Sequence, residues 1–290
     1  MLRDIWELRR WFVNSSRLDF AWASPFVSGD DFRNECDFVF DDLGLTFLPS
    51  SVFEGALIFV KAYPPLVDYF FRQIHPRIRK PYRLLTHNGD YSLPSEHAAR
   101  LDDSKLLRWY TTNLTCQDPK VSAIPIGILN QRAKSNNRLD LLGLMNNSVA
   151  KNHRTYLNFH IGGPTEKAEY KSYRQAIHDR FSNCPWVTVA DRVPPRQYLE
   201  DIASHRFIIS PPGHGPDCYR HWEAMYLGAI PVVERSASMQ PFENYPMIQV
   251  DDWAQVTPDF LLEQADEISR RDFDRSRLFF DFWKDLITAC

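Results

Sequence analysis

One stretch limits the folds open to this chain: RFIISPPGHGPDCYRHWEAMYLGAIPVVE, residues Arg206–Glu234. A short apolar run, Arg206–Ser210, meets two prolines and a Gly-His-Gly loop. A segment with apolar residues at helical spacing follows, and then a second apolar run, AIPVVE. Short apolar runs bounded by turn residues read as buried strands, and the segment between them reads as a helix. Repeated strand–helix alternation implies a parallel sheet covered on both faces. The chain holds only 11 glycines in 290 residues, and Gly213, Gly215 and Gly228 all fall at the hinges of this one unit. A glycine loop opening onto a helix lets backbone N–H groups and the helix dipole approach an anion, commonly a phosphate. The loop is neither G-x-G-x-x-G nor a P-loop with its Lys-Ser/Thr, so dehydrogenase and NTPase chemistries are not indicated. Pro216 suits a first helical position, and Asp217 reads as a cap of its own helix.

The same alternation runs through most of the chain. ALIFVKA, YRLLTH, KLLRWYTTN and VSAIPIGI read as strands of a first half, with PPLVDYFFRQIH as a helix. TYLNFHIGG, WVTVAD, RFIIS and AIPVVE read as strands of a second half, with helices at 166–180, in PRQYLEDIAS and in DCYRHWEAMYLG. The polar, Asn-rich stretch Gln131–Arg154 is a candidate linker. The expected organisation is therefore an α/β chain of two Rossmann-like domains, residues 1–150 and 151–290, facing each other across a cleft, with ligands at the carboxyl ends of the strands.

Bulk properties narrow the function. The composition is 44% hydrophobic with a net charge of −3, which provides for real cores and for no nucleic-acid or anionic-membrane partner. The basic stretch RQIHPRIRKPYR reads as a solvated turn before a strand. Five scattered cysteines signal neither a disulfide framework nor a zinc site, and fit a reducing compartment. No run approaches the length of a transmembrane helix, and the amino-terminal residues lack a signal peptide's apolar region, so a cytoplasmic protein is expected, although a trimmed secretory-pathway domain would look the same.

On the short helix, Arg220 and Glu223 are three residues apart and share a face. The ordinary outcome of that spacing is a surface salt bridge. Placed behind a glycine loop, the pair also suits a ligand: Arg220 as a fork of donors for a diphosphate, and Glu223 as an acceptor for sugar hydroxyls. The segment resembles the donor site of exostosin-like glycosyltransferases, a compact group with bacterial and large-DNA-virus members. Their pattern is a strand, Pro-x-Gly, a loop, an Arg, and then E-A-x-x-x-G-x-I-P-V. The Glu-Ala…Gly-x-Pro-Val part is shared more widely among GT-B enzymes. The stretches from Ala56 to Pro94 and from Leu106 to Asn130 resemble the acceptor half of the same group. The resemblance covers roughly residues 55–290.

The resemblance implies a GT-B enzyme that moves a sugar from a nucleoside diphosphate, UDP by family habit (UDP-xylose or UDP-glucuronate, for example), to a glycan hydroxyl. It implies that Glu223 holds the ribose, and that Arg220 with the loop Gly213, His214 and Gly215 holds the diphosphate. Gly228 would let the helix pack on the sheet. Gly215 stands where many retaining GT-B enzymes carry a second Glu, which tilts the expectation to inversion. Around the donor, Gly162 in the HIGG turn, Arg174 on the next helix and Arg192 after WVTVAD are further candidates, each with a plain turn or surface alternative.

Inversion is a single displacement and needs a base. The turn THNGD at the end of the strand Tyr82–His87 offers Asp90 and His87, with Asp90 ahead because a carboxylate also pairs with the developing positive sugar. The alternative is an ordinary Asn-Gly turn. The one D-x-D, Asp272-Phe273-Asp274, sits in a charged helical region, so no metal is expected at the phosphates. His214 and His221 lack metal-ligand spacing. No cofactor beyond the nucleotide-sugar substrate is implied. Two rivals stay open: a sugar-nucleotide epimerase of GT-B shape, and an inactive carbohydrate-binding module. The aromatic residues of the last helix read as core, and that helix is of the kind that returns to the first domain.

Overall fold

The computed structural model describes residues 25–130, 138–147, 149–162 and 167–289. The chain is mixed α/β and divides into two compact units. One comprises Met1–Ile126 with Phe279–Cys290, and the other Gly127–Leu278. The division falls earlier than the expected boundary at residues 150/151. The Asn-rich segment contains helix α3 (Arg138–Asn146), which packs on helices of the second unit and so joins that unit rather than linking the two. Residues 131–137 of the expected linker lie outside the described residues.

The first unit starts with the short helix α1 (Gly29–Asn34) and the hairpin β1 (Phe38–Asp41) and β2 (Gly44–Leu45). Strand β3 (Ala56–Lys61) leads into helix α2 (Pro64–Tyr69), and β4 (Tyr82–His87), β5 (Leu106–Thr111) and β6 (Val121–Ala123) complete a six-stranded sheet. The order is β2-β1-β3-β4-β5-β6, parallel except for the β1–β2 hairpin. Five of the six residues of β3 are buried, the near-continuous apolar run that a strand covered on both faces requires. The expected helix from Pro64 is α-helical only to Tyr69. It then widens through Phe70–Ile74 and tightens at His75–Arg77. In VSAIPIGI only Val121–Ala123 forms a strand; Pro125 follows and has no N–H for a ladder.

The second unit holds β7 (Asn152–Leu157), α4 (Ala168–Ser182), β8 (Val187–Val189), α5 (Pro195–Ser204), β9 (His205–Ile209), α6 (Tyr219–Tyr226), β10 (Ile230–Glu234), β11 (Ile248–Val250) and α7 (Pro258–Arg270). Its five strands are all parallel, in the order β11-β10-β9-β7-β8. From β7 the chain steps outward to β8, then returns to the other side of β7 and proceeds through β9, β10 and β11. The winding direction therefore reverses between β7 and β9.

The last helix, α8 (Phe280–Thr288), belongs to the first unit. Phe280 N–H donates to Pro25 O at 2.9 Å, the Arg83 guanidinium donates to Ile287 O at 2.7 Å, and Lys284 pairs with Glu35 at 3.0 Å. Phe280, Trp283 and Ile287 are buried at i, i+3 and i+7, so two of the aromatic residues expected in the core are there, while Phe279 and Phe282 are half-buried. Among the described residues no helix is long and apolar enough to cross a membrane.

Candidate functional site

In open parallel sheets, the loops from the two strands on either side of a winding reversal splay apart and leave a crevice at the strands' carboxyl ends. Here those strands are β7 and β9. The loop after β9 is the Pro-Gly-His-Gly segment, and the loop after β7 is the His-Ile-Gly turn. The topology thus puts the crevice at the segment singled out by its glycines.

Arg174 ties the two loops together. It is 8% exposed, and its Nη1 donates to His160 O at 2.7 Å while its Nε donates to Pro212 O at 3.1 Å. Its guanidinium also lies over the Tyr170 ring, 5.1 Å from the centroid. This buried arginine is not the surface residue that its helix position alone would allow. A signal was present, because Arg174, Ile177 and Phe181 recur at i, i+3 and i+7 on the buried face of α4.

The β9–α6 loop is more structured than a glycine-rich turn need be. Gly213 N–H donates to Cys218 Sγ at 2.8 Å, so this amide turns inward rather than toward a ligand. A Cβ on Gly213 would sit 3.0 Å from that sulfur and 3.6 Å from Arg174 Nη2, which accounts for glycine here. Burial pushes the Cys218 thiol up to about 11, so it stays protonated. Helix α6 begins at Tyr219 with Cys218 as its cap, so Pro216 lies in the loop and not at the first helical position. Asp217 is not the cap either. It is buried and accepts the Trp222 indole N–H at 2.9 Å. The Cys218 backbone nitrogen lies 3.3 Å from His221 Nδ1, which is also 3.4 Å from Asp217 Oδ1, and His221 Nε2 lies 3.2 Å from Ser210 O. The helix ends in a Schellman turn: Ala229 N–H reaches Ala224 O, Gly228 N–H reaches Met225 O, and Gly228 takes φ +69°.

Arg220 and Glu223 do not pair with each other. Arg220 Nε donates to Ser210 Oγ at 2.9 Å and Nη2 donates to Pro211 O at 2.8 Å, with the guanidinium 5.6 Å over the Phe159 ring. Its third nitrogen, Nη1, makes no hydrogen bond among the described residues. Glu223, 7% exposed, accepts the Tyr198 hydroxyl at Oε2, 2.9 Å away, and its Oε1 makes no hydrogen bond among the described residues. Burial raises the Glu223 carboxyl above the usual range, opposed by the Tyr198 hydrogen bond and by the Arg220 charge. Burial, with the Glu223 charge beside it, pushes the Tyr198 phenol well above its ordinary value, so it remains a donor. Tyr198, on α5, was not legible beforehand: it stands 25 residues from Glu223, and no local pattern links them.

The other candidates take varied places. Gly162, at φ +142°, is the turn after β7, and Gly163 lies outside the described residues. Exposed His214 stacks on Tyr170, 5.9 Å between centroids, on the ring that Arg174 also covers. Gly215, within the same loop, is buried. Arg192 is exposed at φ +51° after β8, beyond β7 from the loop of β9, and makes no hydrogen bond or ion pair among the described residues. The second unit thus brings Arg174, Gly213, Arg220 and Glu223 together with Gly162 and His214, and holds Arg192 at the outer strand.

In the first unit, His87 ends β4 and is 2% exposed. Its Nε2 lies 3.1 Å from Pro125 O, and its Nδ1 accepts the Asn88 N–H at 2.6 Å. The start of α1 presses on this corner: a Cβ on Gly29 would meet Asn88 Oδ1 at 1.7 Å and His87 Nδ1 at 2.4 Å. Asn88 takes φ +61°, and Gly89 lies against Ala62 O, where a Cβ would come within 1.9 Å. Asp90 follows this tight turn and is exposed. The parallel strands of this sheet, β1, β3, β4, β5 and β6, follow one another in a single direction, and the antiparallel hairpin strand β2 lies on the far side of β1.

No family model matches the chain, and no curated protein matches it.

Proposed function

We propose that this protein is a glycosyltransferase that moves a sugar from a nucleoside diphosphate, UDP in the first instance, to a glycan hydroxyl, with inversion and with no metal at the phosphates. One observation carries the proposal. Arg220 and Glu223, spaced to form an ion pair, are instead drawn apart by Ser210, Pro211 and Tyr198, leaving one guanidinium nitrogen and one carboxylate oxygen without a hydrogen bond among the described residues, beside the winding reversal. A cation and a hydroxyl acceptor held apart in this way suit the two ends of a nucleoside diphosphate, its phosphates and its ribose.

In this reading, Arg220 takes the charge that accumulates on the leaving diphosphate, and Glu223 accepts from the ribose hydroxyls. Arg174 keeps the two flanking loops in place. The acceptor oxygen bonds to the anomeric carbon as the bond to the phosphate oxygen breaks, and the acceptor proton passes to a base. Asp90 is the proposed base. His87, with both ring nitrogens occupied, supports the corner from which Asp90 projects. A GT-B pairing of the two units is part of the proposal.

The test is a thermal-shift screen of UDP- and GDP-sugars on the full chain. Diphosphate release from the stabilising sugar is then followed with and without glycan acceptors, and with and without added Mg²⁺ or Mn²⁺. Acceptor-dependent release that needs no added ion is expected. Conversion of the sugar without acceptor would assign an epimerase instead. Binding without turnover would leave a carbohydrate-binding module. No shift with any nucleotide sugar would overturn the proposal.

A further inference from the structure

The first unit gathers Asp68, on α2, with Glu96 and His97, on the helical turn Ser95–Asp102. One donor atom from each lies within 4.8 Å of the other two. His97 Nε2 is 3.0 Å from Asp68 Oδ1 and 4.0 Å from Glu96 Oε1. His97 is 9% exposed, and Nε2 is a buried atom with no hydrogen-bond partner: the Asp68 oxygen is near but is not aligned to accept from it. A buried, unpartnered imidazole nitrogen in contact with a carboxylate calls for an explanation. From these placements we infer that Asp68, Glu96 and His97 form a binding site for a divalent first-row transition ion such as Zn²⁺.

The surroundings fit a built site. The Phe71 ring stacks on His97, 4.9 Å between centroids, and fixes the imidazole plane. The Tyr91 hydroxyl donates to Glu96 Oε1 at 2.9 Å, steadying that carboxylate. Such second partners are what orient metal ligands. The carboxylate oxygens lie 3.0 and 4.0 Å from the imidazole nitrogen, and all three donor atoms lie within 4.8 Å of one another, close to the spacing around an ion with bonds of about 2.0–2.2 Å, and three protein ligands leave a place for water. Glu96 has a side chain 65% exposed and can close the remaining gap, while Asp68, at 33%, leaves the site open to entry from solvent. Two carboxylates face the imidazole, and the Arg100 guanidinium lies over the Phe71 ring. The imidazole selects a transition ion over Mg²⁺ or Ca²⁺. Bound there, the ion would tie the Ser95–Asp102 turn to α2. These residues take no part in the proposed transfer, and the test reads metal binding rather than turnover, so either proposal can fail without the other.

The full chain is stripped with EDTA, desalted, and titrated with ZnCl₂ by calorimetry, with MgCl₂ in parallel. One equivalent of Zn²⁺ is expected to bind and to raise the melting temperature, with no comparable response to Mg²⁺. Asp68→Asn should weaken Zn²⁺ binding by at least about tenfold. Glu96→Gln should weaken it less. Both variants should melt like the parent chain in EDTA. His97→Ala removes a ring packed on Phe71, so if it does not fold, the two carboxylate variants decide. Absence of stoichiometric Zn²⁺ binding overturns the site, as does unchanged affinity in Asp68→Asn, which would place the ion on cysteines or other histidines.

Discussion

The Tyr198 hydroxyl donates to Glu223 Oε2 at 2.9 Å, and this bond holds a buried carboxylate away from the arginine one turn before it. Because burial raises the Glu223 pKa, the folded state holds its proton more tightly than the unfolded chain does. The stability contribution is therefore complete below the ordinary glutamate value of about 4.3 and is lost as pH rises through the elevated folded value. Glu223→Gln lacks this titration. Its unfolding midpoint should gain on that of the parent chain from about pH 4 upward, then hold a constant lead. Urea melts of both proteins across pH 4–8 measure the difference; a gap that does not change with pH would contradict it. At every pH the variant should lose nucleotide-sugar binding.

Arg220 separates charge from geometry. Arg220→Lys keeps the positive charge but cannot engage Ser210 Oγ and Pro211 O while also presenting a nitrogen outward. UDP affinity should fall by about tenfold or more, a loss of at least about 1.4 kcal/mol, with folding intact. Calorimetric titration with UDP checks this, and parental affinity in the lysine variant would remove Arg220 from the site.

Arg174 is a scaffold residue by position. Arg174→Ala leaves the carbonyls of His160 and Pro212 without their donor and opens space beneath Gly213. A cost of about 2–4 kcal/mol follows for the second unit. Denaturant unfolding should show it directly. Nucleotide binding should weaken even where the variant remains folded, because the loops after β7 and β9 lose their shared tie.

The corner at the end of β4 predicts two different failures. Asp90→Asn should lower turnover by about 10²–10⁴-fold, with melting temperature and UDP affinity unchanged. His87→Gln should instead destabilise the first unit, since His87 is buried and both its ring nitrogens are engaged. Parallel thermal melts and turnover assays separate the two. Normal turnover in Asp90→Asn would transfer the role of base elsewhere.

Much of the architecture is local information. The βαβ unit around Arg206–Glu234 announces itself because buried parallel strands are short, apolar and punctuated by Pro and Gly. Helix PRQYLEDIAS forms with both of its expected ends, set by Pro195 and by the apolar spacing of Leu199, Ile202 and Ala203. Strands β1, β2 and β11 were not anticipated: they are two to four residues long and exist through pairing, which no local pattern encodes. The site shows the same divide. Arg220 and Glu223 stand out by composition and spacing, but which partner each takes depends on Tyr198, Ser210 and Pro211, brought to α6 by the fold of the second unit. The winding reversal between β7 and β9 depends on strand order, which strand identity alone does not supply.

The membership of α8 in the first unit bears on the order in which the protein matures. A ribosome delivers residues 127–278 in one uninterrupted passage, but Phe280–Thr288, which Arg83, Glu35 and Pro25 await, emerges only afterwards. The unit that is begun first is therefore finished last. During synthesis the apolar patch that receives Phe280, Trp283 and Ile287 stays uncovered while the second unit is already able to close, so a nascent chain stalled before residue 279 should be the form that chaperones hold.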